Sequence, residues 1–150
     1  MKVVLDIETI QAPREEWARL AGKLPPSGES EPPGEGYDLF TAGAAEVQRR
    51  AEDEQYAKSA FDATYSQIVC IGLLEFSDQL EPRGSVAWYG RDERELLRQF
   101  WGRLAQNRPT LFITHNGLGF DLPFLKKRSI IHQVKPSLDV NLAKFRTEPV

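Results

Sequence analysis

The segment DERELLRQFWGRLAQN, residues 92–107, constrains the fold of this chain more than any other stretch. Leu96, Leu97, Phe100, Trp101 and Leu104 fall on one helical face, and Asp92 and Glu95 have capping-box spacing. Strand-like runs flank it, SVAWYG at 85–90 and TLFIT at 110–114, the latter short and apolar enough to be buried. A helix between two strands returns the chain to its sheet by a right-handed crossover, so the strand after it joins in parallel. Upstream, KVVLDIET (2–9) and SQIVCIGLLEF (66–76) are further strand candidates. The early strands are expected to pair antiparallel. DLPFLKKRSIIHQV (121–134) reads as a second helix with Phe124 and Leu125 inward. The order β, insertion, β, β, α, β, α predicts an α/β fold: a mixed sheet of three antiparallel strands followed by parallel pairing, flanked by helices.

One domain is expected over 1–150, interrupted by an insertion at about 11–60. Within it, Trp17, Leu20 and Leu24 have helix-like spacing, and residues 44–60 form a polar helix with a weak Ala/Val stripe, laid over the core. Between them PPSGESEPPGEG (25–36) contains no apolar side chain and predicts a mobile loop.

The single Cys70 excludes a disulfide framework and points to a reducing, cytoplasmic setting. One Cys and two His do not make a structural zinc site. The N-terminus lacks the apolar core of a secretory signal, and no window reaches the length of a membrane span, so no membrane role is expected. Net charge is −3 but uneven. Residues 11–60 hold six Lys/Arg against ten Asp/Glu, a net of −4. Residues 123–150 hold six (Lys126, Lys127, Arg128, Lys135, Lys144, Arg146) against Asp139 and Glu148, a net of +4. Such a run reads first as a solvated face and second as a surface for phosphates.

Two motifs carry chemistry. Asp6 and Glu8 lie two apart in a strand, so alternation sends both carboxylates to one face and Leu5 and Ile7 to the other. Two ionised carboxylates side by side repel unless a cation neutralises them, and oxygen-only ligands suit Mg²⁺ or Mn²⁺. The second motif is THNGLGFDLP (114–123). As turn chemistry, Asn116-Gly117 allows positive φ, and Asp121 caps the helix that Pro123 helps begin. Turn chemistry leaves the aromatic Phe120 unexplained.

Together, VVLDIET and HNGLGFDLPFLKKR resemble the first and second motifs of the DEDD-type 3′–5′ exonucleases, which have a ribonuclease H-like fold. The likeness is greatest to the proofreading domain of family B DNA polymerases and to stand-alone relatives. Asn116, Phe120, Asp121, Pro123 and Leu125 each match the second motif. The resemblance implies metal-dependent hydrolysis at the 3′ end of single-stranded DNA, with RNA as another possible substrate. It implies two Mg²⁺ or Mn²⁺ ions: Asp6 bridging both, Glu8 on the ion that activates water, Asp121 on the ion at the leaving group. It further implies that Thr9, Asn116 and Phe120 contact the terminal nucleotide.

The chain departs from the family pattern after Asp121. The third motif is a Tyr or His followed four residues later by an aspartate. Asp139 is the only later aspartate, Lys135 stands four residues before it, and Asp139 reads as a turn or surface residue. The expectation is therefore a C-terminally truncated fragment, inactive or weakly active. A non-catalytic nucleic-acid-binding or scaffolding domain on the same fold is the competing expectation. His115 reads as a structural residue at a strand end, and His132 as unremarkable.

Overall fold

The computed structural model describes residues 1–23 and 39–138, with only the backbone of 39–42. The loop expected at 25–36, and Leu24, Asp139, Lys144 and Arg146, lie outside the described residues. The described elements are β1 (Lys2–Gln11), α1 (Arg14–Leu20), α2 (Leu39–Lys58), β2 (Ser66–Phe76), β3 (Pro82–Tyr89), α3 (Glu93–Asn107), β4 (Leu111–Ile113) and α4 (Asp121–Ile131). The chain divides into two compact units, Met1–Ile10 with Gln67–Val150, and Gln11–Ser66.

The larger unit is a mixed four-stranded sheet in the order β3-β2-β1-β4, an α/β arrangement consistent with a ribonuclease H-like exonuclease fold. β2 and β3 pair antiparallel, with Gly72 opposite Ala87 and Leu74 opposite Ser85. β1 and β4 pair in parallel, Val3 opposite Phe112, as the α3 crossover requires. Alternation places Val3, Leu5 and Ile7 in the core and leaves Asp6 and Glu8 exposed. The core continues through Ile71 and Leu73 of β2, Leu96, Leu97, Phe100, Trp101 and Leu104 of α3, and Phe124 and Leu125 of α4. Each such side chain contributes roughly 1.5–3 kcal/mol through burial.

α3 starts where the capping box places it: the Asp92 carboxylate accepts from the Glu95 amide at 3.0 Å. It ends at Arg108, in the left-handed region at φ 39°, before Pro109. Glu75 of β2 accepts both Arg103 Nε and Nη2 from α3, at 2.7 and 2.6 Å, and this pairing holds its carboxyl below the ordinary carboxylate value. Trp101 donates its indole N–H to Ser129 Oγ at 2.8 Å, and that hydroxyl donates to the Leu125 carbonyl, which locks α3 to α4.

β4 corrects the expectation of a buried strand. It is three residues long and, among the described residues, forms the sheet edge, with Leu111 and Ile113 47% and 40% exposed. An apolar triplet does not reveal how many strands flank it.

The smaller unit packs on Trp17 of α1, which is buried and meets the Tyr56 ring of α2 edge-on at 5.4 Å between centroids. Tyr56 also donates its hydroxyl to the Ala12 carbonyl at 3.0 Å. Leu20 is exposed, contrary to the packing its spacing suggests. α2 is held along its surface by Glu46–Arg50 and Glu54–Lys58 ion pairs, each worth a few tenths of a kcal/mol. Among the described residues no helix is long and apolar enough to cross a membrane.

Candidate active site

The candidate site forms at β1 and the turn that leads into α4. Asp6 and Glu8 are exposed on one face of β1, and Thr9 beside them is half-buried. The same sheet face continues into an open concavity of about 320 Å³ lined by Val4, Asp6, Gly72, Leu74, Ser85 and Ala87. Cys70 lies close enough to both carboxylates to feel them. Burial first, then Glu8 and Asp6, push its thiol pKa up, so it is held as a neutral thiol.

Asp121 is the first residue of α4, and Phe120 occupies the capping position without a side-chain cap. The expectation that Asp121 caps the helix is thus corrected by one position. As first helical residue it receives its own amide and the amide of Ile7, both of which favour its charged form. Burial to 4% exposure opposes them and is the largest influence, and the neighbouring Asp6 charge adds to it. The net result is a carboxyl raised above its ordinary 3.8. His115 is exposed and close enough to Asp121 to lower that value in part. Its reading as a structural residue missed this proximity, since the six-residue spacing from Asp121 carries no signal of it.

The turn between β4 and α4 is built on backbone. The Asn116 carbonyl accepts from the Gly119 amide at 3.0 Å and the Phe120 amide at 2.7 Å. The Gly117 carbonyl accepts from the Leu122 amide at 2.9 Å. Gly117 does not take positive φ, which corrects the turn-chemistry expectation. Its requirement is close approach: a Cβ there would collide with Thr114 Oγ1 and stand 2.9 Å from Thr114 Cβ. Gly117→Ala is therefore expected to destabilise by about 1–3 kcal/mol through forced displacement of the turn. Chemical denaturation measures this, and a loss below about 0.5 kcal/mol would show that the turn adapts freely. Asn116 is exposed, its side chain lying over Gly119. Phe120 is half-buried and packs on Phe124 with centroids 5.2 Å apart, so one face is already in use.

Asp6 thus lies within electrostatic range of Asp121, with Glu8 next along the same strand face. The donor set is all oxygen and carries excess negative charge, which suits a hard divalent cation. Among the described residues no three His, Cys, Asp or Glu side chains are gathered closely enough to cage an ion as they stand.

The basic run does not behave as one surface. Arg128 is 9% exposed and bound to Glu93, whereas Lys127 and Lys135 are exposed. Arg128 Nε donates to Glu93 Oε1 at 2.8 Å, and the Ile68 amide donates to the same oxygen at 2.8 Å. His132 Nε2 lies 2.8 Å from Glu93 Oε2. His132 is therefore part of a network that joins β2, α3 and α4.

Residues 59–142 match the profile of a protein family described as a predicted 3′–5′ exonuclease related to the exonuclease domain of PolB. A 53-residue stretch is 36% identical to the catalytic polypeptide of DNA polymerase epsilon from Debaryomyces hansenii. That stretch covers 35% of this chain and 2% of the polymerase polypeptide.

Proposed function

Because the chain belongs to the family of predicted 3′–5′ exonucleases related to the exonuclease domain of PolB, we propose that it hydrolyses phosphodiester bonds at the 3′ end of single-stranded DNA. In this reading Asp6, Glu8 and Asp121 hold two Mg²⁺ or Mn²⁺ ions. The observation that supports it is that Asp121, buried at the start of α4, feels the charge of the exposed Asp6. Two carboxylates brought together at the cost of burial and repulsion gain from a shared cation. The ions, when bound, supply charge stabilisation at the scissile phosphate and a more acidic water.

The chain's own residues bind and orient the strand end. Phe120 presents its exposed part to the terminal nucleotide, where stacking tolerates any base. Asn116 and Thr9 offer hydrogen bonds to the terminal sugar or phosphate. The single cysteine favours work in a reducing, cytoplasmic setting.

The test is a 5′-labelled single strand incubated with the protein and Mn²⁺ or Mg²⁺, an RNA strand of the same sequence run beside it. Stepwise shortening from the 3′ end that EDTA stops is the expected result. Internal cuts, shortening from the 5′ end, or equal rates with EDTA would overturn the reading.

A further inference from the structure

The chain is acidic overall, with a net charge of −3, yet one groove of the larger unit is lined by cations and small residues. Arg94 and Arg98 stand one turn apart on the outer face of α3, and Lys135 faces them from the segment after α4. The groove has a volume of about 390 Å³. Space is open over Gly102, where a Cβ would meet nothing within 4 Å.

The wall that carries Lys135 is fixed. Gln133 turns the chain out of α4 in the left-handed region at φ 55°, and the Val134 amide donates to the Ser129 carbonyl at 2.8 Å. Ser137 Oγ donates to the Trp101 carbonyl at 2.7 Å. Among the described residues no carboxylate pairs with Arg94 or Lys135, and Arg98 reaches Glu95 only at 3.4 Å with its side chain 68% exposed. The neighbouring Glu93 is turned inward and matched by Arg128. Three cations in one concavity repel one another and gain from an anion that spans all three.

We propose that this groove binds the phosphodiester backbone of a single-stranded nucleic acid. Guanidinium forks match phosphate oxygens two at a time, and two of them one turn apart suit a chain of phosphates better than one small anion. Trp101 is only 3% exposed and offers no stacking platform, so the contact is indifferent to base sequence. The groove lies at the opposite end of α4 from Asp121, about 16 Å away along eleven residues of helix. It is therefore a second site. The choice of nucleic acid among polyanions rests on the exonuclease reading, while the anion site does not.

The experiment measures binding in EDTA, where no cleavage occurs. Fluorescence anisotropy follows a labelled oligothymidylate of about 12 nucleotides, within the usual range of single-strand sites. The variant is Arg94→Gln/Arg98→Gln/Lys135→Gln, its fold checked by thermal melting. Losing three phosphate contacts should weaken binding about tenfold at low salt and flatten the slope of log affinity against log salt by about 2. Unchanged affinity and slope in the folded variant would overturn the proposal. So would a wild-type protein that binds polyglutamate or inorganic phosphate as tightly as the strand. A wild-type protein that binds the strand through these residues but never cleaves it would support the groove and refute the exonuclease reading.

Discussion

A Glu93→Ala variant is expected to lose about 3–5 kcal/mol of stability, the cost of breaking a buried ion pair from one side. Glu93 is 4% exposed, and its two oxygens accept from the Ile68 amide and from Nε and Nη2 of Arg128. Removing the carboxylate leaves a guanidinium that is 9% exposed without its counter-charge, and an amide without its acceptor. Among the described residues every buried side-chain nitrogen and oxygen has a partner, so no nearby vacancy would absorb the loss. A domain of this size has about 5–15 kcal/mol to lose. Urea denaturation would show the change, as would a melting temperature lower by roughly 10 °C. Arg128→Ala should cost a similar amount. The double variant Glu93→Leu/Arg128→Met should be milder than either single alanine change, because the charge mismatch disappears. A Glu93→Ala loss under about 1 kcal/mol would mean that water screens the pair. The pair also matters for the candidate site, since Arg128 ties α4 to α3 two turns after Asp121.

This pair was not legible in the sequence. Glu93 reads as an ordinary acidic residue in a first helical turn, and Arg128 as one of six cations in a solvated run. The two are 35 residues apart, and no local pattern joins them. α3 was legible because its whole account is local: the cap, the five apolar positions and the stop before Pro109 are written in adjacent residues. β2 has the bounds its sequence suggests for the same reason. β4 was legible as a strand but not as an edge, because exposure of Leu111 and Ile113 depends on the place β4 takes in the sheet order, which no local residue records. At the candidate site, alternation alone places Asp6 and Glu8 on one face. The approach of Asp121 to Asp6 depends on the α4 entry turn, where Gly117 acts through its lack of a Cβ rather than through its φ.

Asp121→Asn is expected to reduce metal-dependent cleavage by at least about 100-fold while leaving the metal-free protein as stable as the wild type, or more so. The carboxyl of Asp121 is raised above 3.8, first by burial and then by Asp6. The folded state therefore holds the proton more tightly than the unfolded one. Stability falls as pH rises from 3.8 through the raised folded value, and the loss is complete above that value. Asparagine keeps the shape and removes that loss. A bound cation offsets the same loss in the wild type. At a Mn²⁺ concentration about 100 times the dissociation constant, the wild type should gain roughly 2.7 kcal/mol, and a variant bound about 100-fold more weakly only about 0.4 kcal/mol. Thermal melts of both proteins, with EDTA and with Mn²⁺, separate these terms without any cleavage being observed. An equal Mn²⁺ shift in the two proteins would place the ion away from Asp121. A variant much less stable in EDTA would make Asp121 a fold residue, since its hydrogen bonds to the Ile7 amide and its own would then outweigh the burial and repulsion that oppose its charge.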